Sequence, residues 1–156
     1  MTVEVGTIFK KFFIVAFLFS FLVIFLNQYQ LIQTKKYKDY LSSLSAEDII
    51  REHFKNKNDN NVSKMKETLT DRHKSFDSSQ PNLEYIKIID LNINETETKK
   101  AYDDYHDNYV SVLVYDVTYE VKYRKVKEQD EGIYTWRYTL VKEHEEAPWL
   151  IDEFGF

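Results

Sequence analysis

Phe12 to Leu26 reads FFIVAFLFSFLVIFL, an apolar run interrupted only by Ser20. A helix that is apolar all round has no face to turn to water, so it belongs inside a large core or inside a lipid bilayer. These fifteen residues span about 22 Å as helix, short of the roughly 30 Å hydrocarbon core of a membrane. Continuing through Asn27, Gln28, Tyr29 and Gln30 to Leu31 and Ile32 brings the length to about 31 Å and leaves the amides beside Tyr29 at the interface. Lys10 and Lys11 precede the run as in a signal peptide. The following NQYQLIQTKKYKDY, however, lacks the small residues that signal peptidase requires. The expectation is an uncleaved single-pass anchor in the cell membrane over 12–32, behind a short tail, 1–11.

Lysines flank the run on both sides, Lys10 and Lys11 against Lys35, Lys36 and Lys38, so the positive-inside rule is nearly balanced. A short tail ahead of an apolar run is the signal-anchor pattern, which places the rest of the chain outside the cytoplasm. Residues 33–45 (QTKKYKDYLSSLS) hold no apolar period long enough for a core element and read as a stalk.

The net charge of −5 conceals a division, because residues 46–156 carry 16 basic and 24 acidic side chains. Such a head repels phosphates, which excludes nucleic acid as a partner. The absence of cysteine removes disulfides, thiol nucleophiles and cysteine zinc sites. Gly6, Gly132 and Gly155 stand alone, so no Gly-rich nucleotide loop can form, and no cofactor is expected. Richness in Lys, Asn, Ile, Tyr and Phe fits a bacterium with an AT-rich genome.

Ser45-Ala46-Glu47-Asp48 is a helix start, with Ser45 able to cap. Ala46, Ile49, Ile50, His53 and Phe54 share one face, which predicts an amphipathic helix of about three turns. Asn56 to Asn61 stops it, and a weaker helix is expected over Val62 to Arg72. A break at Ser78-Ser79-Gln80-Pro81-Asn82 then changes the period to alternation. Leu83 to Asn94 reads as a strand with Ile89, Leu91 and Ile93 inward. Tyr109 to Lys125 follows, with Leu113, Tyr115, Val117, Tyr119, Val121 and Tyr123 on one face. After a turn at Gln129-Asp130-Glu131-Gly132, Ile133 to His144 returns with Tyr134, Trp136, Tyr138 and Leu140 inward, and Trp149 to Phe156 closes the sheet. Two helices packed on a curved antiparallel sheet of about four strands make an α+β roll over 46–156.

The segment EDIIREHFKNKNDNNVSKMKETLTD, the long hairpin and the closing WLIDEFGF resemble the small bacterial domains of the nuclear-transport-factor-2-like (cystatin-like) superfamily. Lys57-Asn58-Asp59 fits the turn that ends the first helix in that group. The resemblance implies a cone-shaped roll used by enzymes, ligand binders and assembly subunits alike. Its enzymes carry His and Asp inside the cone, whereas the inward face here offers Tyr, Leu, Val and Trp. A non-catalytic binding or assembly module, with a protein partner or self-association, is therefore the leading expectation. The alternative is a small-molecule binder or enzyme on the concave aromatic face.

His53, Tyr115, Tyr119, Trp136 and Tyr138 are the candidate ligand-binding residues, because a histidine on the apolar stripe meets an aromatic face with polar tips. Three other constellations carry less. Asn56 to Glu67 has the length of an EF-hand loop, but Asn stands at its first position and Asn61 where the turn glycine belongs. Asp103, Asp104, His106 and Asp107 are adjacent on an expected loop, where side chains seldom converge on a metal. Glu143-His144-Glu145-Glu146 lacks the zincin spacing. No metal site is expected.

Overall fold

The computed structural model describes residues 3–75, 81–125 and 131–155, with side chains from residue 17 onward. The expected break at Ser78–Gln80 and the tip of the expected turn at Gln129 and Asp130 lie outside the described residues. The chain divides into two compact units, 1–37 and 38–156.

The first unit is helical. Helix α1 runs Val3–Ser42, and from Phe17 to Ile32 its side chains are exposed on every side, Phe17 at 71% and Phe19 at 66%. It is long and apolar enough to cross a membrane.

The second unit is α+β, as the pattern predicts. Helix α2, Ala46–Asn58, starts where Ser45 accepts the Asp48 N–H and also donates to the Asp48 carboxylate at 2.7 Å. It ends at Asp59, and Asn60 takes a left-handed φ of 50°, a conformation that Asn tolerates. Asn61 caps the short α3, Val62–Glu67, whose Met65 is buried. This helix is shorter than expected, because Thr68 to Thr70 leaves it to pair with the last strand: Ile151 N–H donates to the Thr68 carbonyl and Thr70 N–H to the Ile151 carbonyl. A single 3-10 turn, Asp71–His73, follows.

The sheet is antiparallel in the order β1-β2-β3-β4: Leu83–Ile93, Ser111–Tyr123, Gly132–Lys142 and Leu150–Gly155. Leu113 opposes Leu140, Tyr115 opposes Tyr138, Val117 opposes Trp136 and Tyr119 opposes Tyr134, so the expected inward face of the hairpin forms in register. Ile49, Ile50 and Phe54 of α2 supply the apolar partner of the sheet, each at most 3% exposed.

Three expectations are corrected. In β1 Leu91 and Ile93 face as expected, opposite Val117 and Tyr115, but Ile89 is 52% exposed, and Leu83, Ile86 and Ile88 take inward places opposite Tyr123, Val121 and Tyr119. Register shifts at Leu83/Tyr85 and Ile88/Asp90 explain this, since each bulge moves the following side chains to the other face. Between β1 and β2 lies a further helix, α4, Glu95–Tyr105, capped by Asn94. It packs on β2, and Val112, Val114, Thr139 and Val141, all facing opposite to Leu113 and Leu140, are buried. That end of the sheet is thus covered on both faces rather than one. Finally, the segment expected as a stalk is helical to Ser42 and sends Leu41 into the core at 1% exposure.

Candidate functional site

The five expected residues all lie on the concave side of the sheet, and four of them meet in one cluster. His53 comes from the middle of α2, Tyr119 from β2, and Trp136 and Tyr138 from β3. Two phenylalanines join them. Phe54 meets the Tyr119 ring edge-on at 5.3 Å and lies 5.8 Å from Tyr138. Phe154 of β4 stacks on Tyr138 at 5.8 Å and on Trp136 at 6.5 Å. His53 lies 6.2 Å from the Phe54 ring and 6.4 Å from that of Phe154. Tyr115 lies on the same face, directly opposite Tyr138, and is close enough to the start of α2 to feel the Glu47 carboxylate.

His53 is 1% exposed. Its Nδ1 lies 2.8 Å from Thr68 Oγ1, whose own proton is given to the Met65 carbonyl at 2.6 Å. Thr68 can therefore only accept, which assigns the ring proton to Nδ1 and leaves Nε2 as a bare acceptor. Nε2 is buried and has no hydrogen-bond partner among the described residues. Burial first, and then the nearby Lys57 charge, hold the imidazole well below its ordinary value of 6.5, so it is neutral.

Lys57, four residues on and on the same helical face, is the residue that the sequence reading passed over as part of a turn. Its Nζ sits 5.8 Å from the Phe54 ring centroid and 5.9 Å from that of Phe154, and it makes no ion pair among the described residues. Desolvation lowers it from 10.5 to about 8. Burial likewise pushes the Tyr119 and Tyr138 hydroxyls well above their usual range. The cluster thus holds a neutral histidine, a partly dehydrated ammonium and neutral phenols. A buried acid and base placed to exchange a proton is not what these residues provide.

The family comparison covers this same unit. A model described as "Domain of unknown function (DUF4829)" matches residues 47–155. The chain belongs to this family. No curated protein and no solved structure matches it. In this DUF4829 domain, all the cluster residues named above fall inside the matched stretch, and Leu41 falls outside it.

The remaining sequence candidates have structural roles in the DUF4829 domain. Asn56 is buried and donates to the Glu52 carbonyl and carboxylate, Asn58 bonds Ile86, and Asn61 caps α3. The Asn-rich segment is therefore a helix end and a cap. Asp103 and Asp104 lie on the last turn of α4, not on a loop, and are exposed. His106 Nδ1 lies 2.9 Å from the Asp103 carbonyl. Among the described residues, no three His, Asp or Glu side chains converge as metal ligands would.

Proposed function

We propose that this protein is a membrane-anchored module whose DUF4829 head, on the outer side of the cytoplasmic membrane, works by binding and not by catalysis. The observation that carries the reading is the state of His53: it is buried, neutral and committed through Nδ1 to Thr68. A general base needs a route for its proton and a partner to stabilise its charged form. His53 instead has an ammonium as its charged neighbour, which opposes protonation.

The anchor is supported by α1, exposed and apolar from Phe17 to Ile32. The order of helices followed by a curved sheet supports the resemblance to nuclear-transport-factor-2-like domains, several of which act as assembly subunits. A protein partner or a second copy in the membrane is the binding target this reading favours.

The test uses the full chain in its native membrane. Fractionation should leave the protein in the membrane after carbonate extraction, and a C-terminal alkaline phosphatase fusion should be active while a C-terminal green fluorescent protein fusion stays dark. Crosslinking should then yield a discrete larger species. Release by carbonate would sink the anchor, a dark phosphatase fusion the orientation, and an exclusively monomeric species the assembly.

A further inference from the structure

We propose that the aromatic mouth formed by Phe54, Lys57 and Phe154 binds a small organic monoanion, a carboxylate on a planar apolar body. The carboxylate pairs with the Lys57 ammonium, and the body lies against Phe154 and Trp136. The inference rests on the reading of the head as a binding module and names the ligand class for its concave side.

Three observations converge on it. First, Lys57 is half-buried and faces two phenyl rings at 5.8 and 5.9 Å. That distance is at the outer limit of a useful cation–π contact, and phenyl is a weaker partner than indole. The rings therefore remove water from the ammonium without replacing what water supplied. Its lowered affinity for a proton, near pH 8, is the signature of that deficit.

Second, the missing counter-ion is not explained by a shortage of acids. Residues 46–156 carry 24 of them, and Lys38, Lys55, Lys74, Lys100 and Lys122 each reach a carboxylate within 4 Å. Lys57 does not. The same acidic field acts against phosphate or a dianion, and a single ammonium matches a single carboxylate.

Third, the apolar wall is open at the same place. Phe154 is 38% exposed although it stacks on Tyr138 and Trp136, and a buried polar atom with no hydrogen-bond partner among the described residues, His53 Nε2, belongs to a ring packed against the same two phenylalanines. A stacked, half-exposed ring beside an uncompensated cation is the combination that binds aromatic acids: the ring supplies area and the cation orientation.

The test is a titration of the full chain in nanodiscs with benzoate, benzyl alcohol and inorganic phosphate, followed by calorimetry and by the fluorescence of Trp136 in a Trp149→Phe background. Benzoate should bind and change the Trp136 emission. Benzyl alcohol and phosphate should each bind at least about tenfold more weakly, a difference of roughly 1.4 kcal/mol. Lys57→Met should bring benzoate down to the level of benzyl alcohol while the thermal midpoint is retained or raised, and Lys57→Arg should keep most of the affinity. The proposal fails if benzoate shows no binding up to about 10 mM, if benzyl alcohol or phosphate binds as well, or if Lys57→Met binds benzoate like the parent. None of those results touches the anchor or the partner, which fractionation and crosslinking decide separately.

Discussion

Asn58 closes the free edge of β1 by acting as a one-residue strand against Ile86. Its Oδ1 accepts the Ile86 N–H and its Nδ2 donates to the Ile86 carbonyl, both at 2.7 Å. An edge strand presents its main-chain groups in a row and invites pairing with other chains. Here the row is satisfied at Ile86 by the last residue of α2, and broken farther on by the register shift between Ile88 and Asp90.

Asn58→Ala removes both bonds at once. The expected loss is about 1–2 kcal/mol, read from urea midpoints, together with concentration-dependent self-association as the edge is bared. Asn58→Asp keeps the acceptor but sets a carboxylate oxygen against the Ile86 carbonyl, so it should rescue little. A loss below about 0.5 kcal/mol for the alanine variant would show that the amide does not hold the edge.

A second tie joins the 3-10 segment to β4. Asp152 is 2% exposed, accepts from the Thr70 hydroxyl at 2.7 Å and faces the Arg72 guanidinium at 2.7 Å. Arg72 also donates to the Asp152 carbonyl from Nε and from a terminal nitrogen. Removing one partner of a buried pair costs about 3–5 kcal/mol, and Arg72, half exposed itself, belongs at the low end of that range. Arg72→Met should therefore unfold at distinctly lower denaturant, and Asp152→Asn, which keeps an acceptor for Thr70, should cost less. Equal stability of Arg72→Met and the parent would remove this tie from the account.

The hairpin was legible in the sequence because its alternation is long and unbroken, and α2 because Ser45 and the Ile49, Ile50 and Phe54 stripe agree. The places of Ile86, Ile88 and Ile89 in β1 were not, since bulges leave no mark on an alternating pattern, and α4 was not, since ETETKKAYDDY has hardly any apolar period. A usable signal did exist there: Asn94 accepts the Glu97 N–H at 3.0 Å, the Asn-x-x-Glu spacing of a capping box. At the site, the periodicity set His53 and all four aromatics on the face that turns inward. Lys57 escaped because its neighbours Asn58 and Asp59 read as a turn, although four residues after His53 it had to share that face.

Leu41 tests where the folded unit begins. It comes from the last turn of α1, ahead of the stretch that the family model covers, yet it is 1% exposed. Leu41→Ala should cost about 2–4 kcal/mol, the usual range for a fully buried leucine, in the thermal or chemical unfolding of the head. A variant as stable as the parent would put the start of the unit at α2.

Lys57 makes a prediction at alkaline pH. Its value is near 8 when folded and 10.5 ordinarily, so the folded state gives up this proton more readily than the unfolded state does. The cost of burying the ammonium is fully present below about pH 8 and is relieved as the pH rises toward 10.5. Relative to Lys57→Met, the parent should therefore gain stability between those values. A difference between the two that does not change over that interval would mean that the ammonium is solvated.

His53 sets the opposite limit. Its folded value lies well below 6.5, so between the two the unfolded chain binds a proton that the folded chain refuses. The stabilisation is complete above pH 6.5 and is lost as the pH falls, by up to about 1.4 kcal/mol per pH unit for one such group. Carboxylates add their own losses nearer pH 4, which leaves pH 5 to 6.5 as the window to examine. His53→Gln keeps a hydrogen-bonding side chain for Thr68 but cannot titrate. It should be less stable than the parent at pH 8, because an amide fills the ring's place poorly, and its stability should fall less steeply through the window, by about one proton. Parallel slopes for the two proteins would mean that His53 takes up its proton in the folded state, and the neutral imidazole beside Lys57 would have to be abandoned.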